Sequence, residues 1–311
     1  MTSFIQRSKR ETRYYRNAVE RHWDPADIEL DEDRRNIIGA YEAAVEEGRE
    51  DDFEAMLDGI RRSLAKFGAG EQSVTEDLAP LAVTLDGIED QMFLTTQMYE
   101  EAKHADFFDR YWNEVVHPVE DEVGIERSSP FDEEWYDEEY HELFDREEEV
   151  LHSLLEDDSP ENVARAFCHY HLVVEGILAQ TGYYGLTKLF EDGHEQEGVP
   201  ALSGLTEGLK LIRGDEGRHV GFGMSKLKGL VERDEVDPML LSKTVGELIG
   251  LVEGTLTPDE DEDTDEGPDV LEEGELAEYA MGKHSERMEQ ITEVSEDIPD
   301  VEELTRLEAA D

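Results

Sequence analysis

Two stretches decide the fold: LKLIRGDEGRHVGFG, Leu209–Gly223, and MYEEAKHADFF, Met98–Phe108. Each contains a Glu-x-x-His pair, Glu216/His219 and Glu101/His104. On a helix, residues three apart lie about 300° apart and project from one face. Two such helices facing each other, with one more Glu from each of two further helices, supply the donor set of a dimetal carboxylate site inside a four-helix bundle. Glu71 and Glu175 are the candidates for the two further acids.

The motif needs its context, because the chain is so rich in Glu. Four other histidines also have Glu three positions earlier: Glu114/His117, Glu138/His141, Glu149/His152 and Glu191/His194. The faces they occupy separate them. Leu94, Met98, Ala105, Phe108 and Trp112 share the face of Glu101. Leu205, Leu209, Ile212 and Val220 share that of Glu216. Charged pairs on such apolar faces must be paired, metal-bound or neutralised. Glu149/His152 shares its face with Glu142, Asp145 and Arg146, a solvated stripe. Glu138 stands in an acidic patch. Pro118 is expected to end the helix at His117, and Gly193 places Glu191/His194 in a loop.

A chain of 311 residues is long enough to bury a sizeable core. No apolar run is long enough for a bilayer span, and the polar, basic N-terminus has no signal-peptide pattern, so a cytoplasmic location is expected. The single cysteine, Cys168, excludes an intramolecular disulfide and a thiolate metal site. Asp and Glu number 82 against 28 Lys and Arg, a formal net charge of -54. Such self-repulsion opposes compaction in dilute buffer, but at ~1 M salt the Debye length falls to ~3 Å. The acids are spread along the whole chain rather than gathered in one tail. That pattern reads as adaptation to a high-salt cytoplasm, and it disfavours nucleic acid as a partner.

Residues 1–22 read as a flexible basic arm. Residues 23–253 read as the helical metal-binding domain. Within it, Ile37–Glu47 and Phe53–Phe67 have helical spacing, and Gly68-Ala69-Gly70 is expected to break the second helix. The four long helices are Glu71–Ile88, Asp90–Val116, Glu161–Phe190 and Leu202–Glu232. Between the second and third, HPVEDEVGIERSSP reads as a loop and Phe131–Glu156 as an acidic helix. Leu240–Val252 is a further apolar helix. Residues 254–275 form an acidic loop that nearly matches a calcium loop through Asp261, Asp263, Asp265 and Glu272. The glycine required at its sixth position is Glu266, so the run reads as solvated charge. Residues 276–311 hold a last helix and a polar tail. With no persuasive strand pattern, the fold class is all-α.

The donor set assigns Glu71, Glu101 and His104 to one metal, and Glu175, Glu216 and His219 to the other, with carboxylates free to bridge. Carboxylate and imidazole suit iron and manganese. Four acids offset the charge of two divalent ions. Without cations each would carry a desolvation cost of several kcal/mol or take up a proton. The alternative is a set of buried Glu–His hydrogen bonds.

Over roughly Trp23 to Glu232, this pattern resembles the small subunit of ribonucleotide reductase. More closely it resembles the related ligand-binding oxidases with a mixed manganese/iron centre, which have a ferritin-like four-helix core with additional helices. Trp23-Asp-Pro-Ala-Asp-Ile is similar to the family's tryptophan-containing segment. Asp215 matches the aspartate that hydrogen-bonds a first-metal histidine, here His104. The radical-tyrosine position of the reductases is Phe108, and the last residues, VEELTRLEAAD, contain no Tyr or Trp to relay a radical.

Val74, three residues after Glu71, and Tyr170, five before Glu175, match the Val and Tyr that the oxidases join by an ether bond. Five helical steps leave Tyr170 about 140° from Glu175, so a distorted turn, a π-bulge, is needed there. The resemblance further implies O2 activation at Mn and Fe, with Mn at Glu71/Glu101/His104. It implies two-electron oxidation of a hydrophobic substrate, a long-chain fatty acid bridging the metals by its carboxylate, and a homodimer. Leu178, Ala179 and Tyr183 are candidates to line the ligand channel. The second reading is a reductase small subunit of the Mn/Fe type lacking the radical Tyr, and the third is a non-catalytic metal-storage bundle.

Overall fold

Each of the four helical runs that hold the candidate acids passes from one apolar cluster to another. The computed structural model describes residues 4–194, 198–256, 274–293 and 295–304. In chain order the α-helices are α1 (Arg10–Glu20), α2 (Asp31–Glu47), α3 (Glu50–Asp77), α4 (Ala79–Thr84), α5 (Ile88–Tyr111) and α6 (His117–Val123). They continue as α7 (Glu138–Ser153), α8 (Pro160–Phe167), α9 (Gln180–Phe190), α10 (Ser203–Glu232), α11 (Pro238–Gly246), α12 (Ile249–Leu256) and α13 (Glu275–Thr292). Two stretches are wound as π-helix: Trp112–Val116 continues α5 into α6, and Cys168–Ala179 joins α8 to α9. Among the described residues there is no strand beyond an isolated bridge, His194 to Val199. The protein is an all-α bundle.

One buried cluster gathers Val74, Phe93, Leu94, Phe167, Tyr170, Val220 and Phe222. The other gathers Leu57, Leu64, Phe107, Phe108, Tyr183, Leu209 and Ile212. Between their contributions to the two clusters, α3 presents Glu71, α5 presents Gln97 to His104, and α10 presents Arg213 to His219. A polar layer is therefore held between two apolar ones. Apolar burial at about 25 cal/mol per Å² drives the assembly, and the charged layer must satisfy itself internally.

Several boundaries differ from the expectation for local reasons. Gly68 and Gly70 do not break α3. A Cβ on Gly68 would stand 3.3 Å from Phe108 Cβ, and one on Gly70 3.2 Å from the Phe144 ring, so these glycines admit close neighbours. The break falls instead between Asp77 and Ala79, and Pro80 lies in the first turn of α4. Pro118 does not end its helix. It stands in the first turn of α6, where its missing N–H costs little, and the π turn before it re-registers the backbone. Phe131 lies exposed outside α7 instead of on its apolar side.

The N-terminal arm is ordered from α1 onward. Tyr14 is fully buried between Phe93 and Phe222, at centroid distances of 5.4 and 6.3 Å. Lys9 pairs with Glu89 at 3.0 Å, and Lys226 with Glu11 at 2.6 Å. At the other end of α10, buried Asp33 accepts from the N–H groups of Gly204 (2.9 Å) and Leu205 (2.8 Å) and from Tyr111 Oη (3.0 Å). One carboxylate thus caps α10 and fixes α2 and α5 against it. The calcium-like run at Asp261, Asp263, Asp265 and Glu272 lies outside the described residues.

Candidate metal centre

Glu71, Glu101, His104, Glu175, Glu216 and His219 converge in the polar layer, each at most 7% exposed. Both imidazoles turn Nδ1 toward the acids. His104 Nδ1 lies 3.4 Å from Glu71, 3.2 Å from Glu101 Oε2 and 3.5 Å from Glu216 Oε1. His219 Nδ1 lies 3.1 Å from Glu101 Oε1, 3.2 Å from Glu175 and 3.3 Å from Glu216 Oε2. Glu101 and Glu216 therefore each offer one oxygen to either side, while Glu71 and Glu175 are terminal. The sequence reading left carboxylates free to bridge, and the two acids placed to do so are Glu101 and Glu216. Two groups of ligand atoms close enough for single ions are Glu71/Glu101/His104/Glu216 and Glu101/Glu175/His219. A third group, Asp77/Glu148/His152, is separate, with Glu148 and His152 half exposed.

The far side of each ring is held by an acid from the opposite helix. His104 Nε2 lies 3.1 Å from Asp215 Oδ2, and His219 Nε2 lies 2.9 Å from Glu100 Oε2. Asp215 also accepts from Trp23 Nε1 (2.8 Å) and Lys103 Nζ (2.6 Å), and Arg218 joins Asp215 to Glu100. Trp23 stacks on His104 at 6.1 Å and 14°, with Lys103 Nζ 4.4 Å above its centroid. Such partners fix the ring tautomer so that Nδ1 is the free donor. Asp215 meets His104, the ring the sequence paired it with, and Trp23 bonds to Asp215. Glu100 was missed, although it precedes Glu101 just as Asp215 precedes Glu216. That repeated acid-Glu-x-x-His signature was legible.

The terminal acids are held as well. Tyr183 Oη donates to Glu71 Oε1 at 2.6 Å, and Gln97 Nε2 donates to Glu175 Oε1 at 2.7 Å. Tyr183 therefore touches a carboxylate rather than only lining an apolar channel. Tyr170 Oη donates to Glu101 Oε1 at 2.8 Å. The π-winding of Cys168–Ala179 brings Tyr170 onto the Glu175 side, since a π turn pairs residues five apart. Val74 is buried in the same apolar cluster as Tyr170. Phe108 is packed between Phe67 and Tyr183 and has no hydroxyl to oxidise. Leu178 is buried, and Ala179 is packed against the second cluster.

The electrostatics suit bound cations. Burial pushes the Glu71 carboxyl up to about 7, against the pull of His104. Burial and the Glu216 charge push Glu175 well above its usual range. Glu101 goes the other way: burial opposes its ionisation, but His219 and His104 outweigh it. Burial also opposes charging of both imidazoles, yet Glu71 beside His104 and Glu101 beside His219 hold each well above its ordinary value. Four acids around two rings thus draw protons wherever cations do not balance them. Glu175 Oε2 is buried without a hydrogen-bond partner, so this carboxylate has an oxygen to spare for a ligand. The donor set fits two divalent ions of the iron or manganese type.

No protein-family model matches the chain. Its fold is similar to solved structures of R2-like ligand-binding oxidase variants. One, with an aerobically reconstituted Mn/Fe cofactor, is 28% identical, with a TM-score of 0.70 over 93% of this chain and 96% of that one. A second with such a cofactor is 26% identical, with a TM-score of 0.67 over 99% and 94%. A third, with a non-activated Mn/Mn cofactor, is 28% identical, with a TM-score of 0.70 over 93% and 95%. Architecture, donor set and likeness together make this protein an oxidoreductase of the dimetal-carboxylate class.

Proposed function

We propose that this protein is an O2-activating oxidase with manganese and iron, acting on a hydrophobic substrate and forming an ether bond between Val74 and Tyr170. Glu71, Glu101, His104, Glu175, Glu216 and His219 are its metal ligands. The observation that carries the reading is the Tyr170 hydroxyl, 2.8 Å from a carboxylate that spans both ion positions. When bound, the metal pair supplies the activation of O2 and the route for electrons to it.

The chain's own residues do the rest. Glu101 accepts the Tyr170 hydrogen bond and is the nearest base for its proton. Asp215 and Glu100 hold the two rings, and Tyr183 holds Glu71. The apolar clusters on either side exclude water and keep these charged contacts strong. Ether formation removes one hydrogen from the Val74 side chain and one from the Tyr170 hydroxyl, with two electrons passing to O2 as oxidant. The ligand is assigned as a long-chain fatty acid or similar amphiphile. Its carboxylate would be held at the metal pair, and its tail would need apolar surroundings such as those beside Leu178 and Ala179. The likeness to proteins described as ligand-binding supports that class. A net charge of -54 supports work at high salt.

Intact mass after aerobic reconstitution with Mn(II) and Fe(II) tests the proposal. The expected result is loss of two hydrogens, mapped to peptides containing Val74 and Tyr170. An unchanged mass together with copurification of a large reductase subunit would instead identify a reductase small subunit, the reading that Phe108 leaves open.

A further inference from the structure

The polar layer extends beyond the ligands to a buried amide and a buried imidazole. Gln97 is fully buried on α5, one turn before Glu101. Its Nε2 lies 2.7 Å from Glu175 Oε1 and 3.4 Å from Tyr170 Oη, and its Oε1 lies 3.3 Å from His171 Nε2. With an ion bound, Glu175 is ionised and only accepts hydrogen bonds, so it requires the NH2 end of the amide. The C=O end must then find a donor, and His171 Nε2–H is that donor.

His171 is itself fixed. It is fully buried in the π segment, with Phe167 at 5.0 Å and Tyr170 at 4.8 Å between ring centroids. Gly223 of α10 makes its place: a Cβ there would stand 2.4 Å from His171 Cβ. Burial, and then the His219 charge, hold its pKa well below the usual value, so the ring is neutral.

We infer that Gln97, locked by His171, is a positioning residue for Glu175 and Tyr170. It donates to Glu175 Oε1, the oxygen that also lies 3.2 Å from His219 Nδ1, and so sets how the carboxylate faces the ion position, while Oε2 has no hydrogen-bond partner. It also donates toward Tyr170 Oη, which aims the hydroxyl proton at Glu101. The inference rests on the dimetal reading and assigns selectivity between the two ion positions to a residue that is not a ligand.

The test is titration of metal-free full-length protein with Mn(II) alone, reading free Mn(II) by electron paramagnetic resonance. Wild type is expected to bind two ions per chain. Gln97→Met keeps the volume and removes the donor. It is expected to weaken one of the two ions about 10- to 100-fold, leaving the other and the metal-free melting midpoint unchanged. His171→Phe is expected to weaken the same ion to a smaller degree. In a Glu175→Gln background the effect of Gln97→Met is expected to vanish. Equal binding of both ions in Gln97→Met, or equal weakening of both with a lowered midpoint, would overturn the inference while the dimetal reading stood. Fewer than two ions on wild type would overturn both.

Discussion

Tyr170 donates its hydroxyl hydrogen bond to Glu101, across the gap between the π-wound Cys168–Ala179 segment and α5. Its own proton release is suppressed: burial first, then the charges of Glu101 and Glu175, push its pKa well above the usual value. On the proposed crosslinking, loss of that proton is therefore expected to accompany loss of an electron. Tyr170→Phe is expected to keep the fold, since Phe fills the same space, and to keep two-ion binding. It is expected to show no mass loss after aerobic reconstitution. A Tyr170→Phe protein that still lost two hydrogens would sink the assigned crosslink.

Cation binding is expected to release protons. Both imidazoles are held above their ordinary value and Glu71 sits at about 7, so at neutral pH protons occupy the donor atoms that an ion needs. The affinity for Mn(II) should therefore fall as pH falls through neutrality, and rise as pH climbs toward the raised pKa values. Calorimetric titration in two buffers of different ionisation enthalpy measures the protons directly. Zero net release at pH 7 would contradict the electrostatics of the cluster.

The sequence made the six candidate ligands stand out because their types and spacings are chemical signals: two Glu-x-x-His pairs on apolar faces, in order with two lone buried acids. It also demanded a distorted turn near Tyr170, since five α-helical steps miss Glu175, and the π segment supplies it. Gln97 and His171 were hidden because an amide and an imidazole on helices carry no spacing signature of their own. Only the fold brings them together. Gly68, Gly70 and Pro118 misled because their local cost is small beside tertiary packing: neighbouring phenylalanines use the missing Cβ, and Pro118 directly follows a π turn that shifts the backbone register. The arm before Trp23 looked solvated, but buried Tyr14 and the Lys9–Glu89 and Glu11–Lys226 pairs tie it to the main core.

Asp215→Ala is expected to be severely destabilising. The change leaves Lys103 without a carboxylate, removes one of two acids from Arg218, and strips the acceptor from Trp23 Nε1. Breaking a buried charge pair costs about 3–5 kcal/mol. Burial opposes ionisation of Asp215, but Arg218, His104 and Lys103 outweigh it and hold its pKa well below the usual value. Its contribution is thus present above the unfolded carboxylate pKa, ~3.9, and lost only as pH falls below that. Urea unfolding of metal-free Asp215→Ala and wild type at pH 7 measures the difference. A loss below about 1 kcal/mol would show that the acid is not essential to the layer.

Glu147 gives the opposite sign. It is fully buried on α7, and neither oxygen has a hydrogen-bond partner. Burial, then the charges of Asp77 and Glu148, push its pKa well above the carboxylate range. Its folded pKa exceeds its unfolded one, so its penalty is absent below ~4.3 and grows as pH rises toward the folded value. Glu147→Leu removes the penalty with an apolar group, and is expected to stabilise by about 1–3 kcal/mol at pH 8 and by little at pH 4. Thermal midpoints across that range check it. A variant less stable than wild type at pH 8 would mean that the carboxylate has a role in the fold.

Salt distinguishes repulsion from attraction on the surface. Exposed ion pairs such as Arg16–Glu20 and Arg34–Asp31 are worth at most ~1 kcal/mol each and weaken with salt. With 82 acids against 28 bases, most acids have no basic partner, and their mutual repulsion weakens with salt too. Repulsion is the larger sum, so its relief dominates. The thermal midpoint is expected to rise steadily between about 0.1 and 2 M KCl, as the Debye length shrinks from ~10 Å to below ~3 Å. The buried Lys103–Asp215 pair lies out of reach of such screening, so two-ion binding should change much less over the same range. A midpoint that stayed flat or fell with salt would show that specific pairs, not net charge, govern the surface.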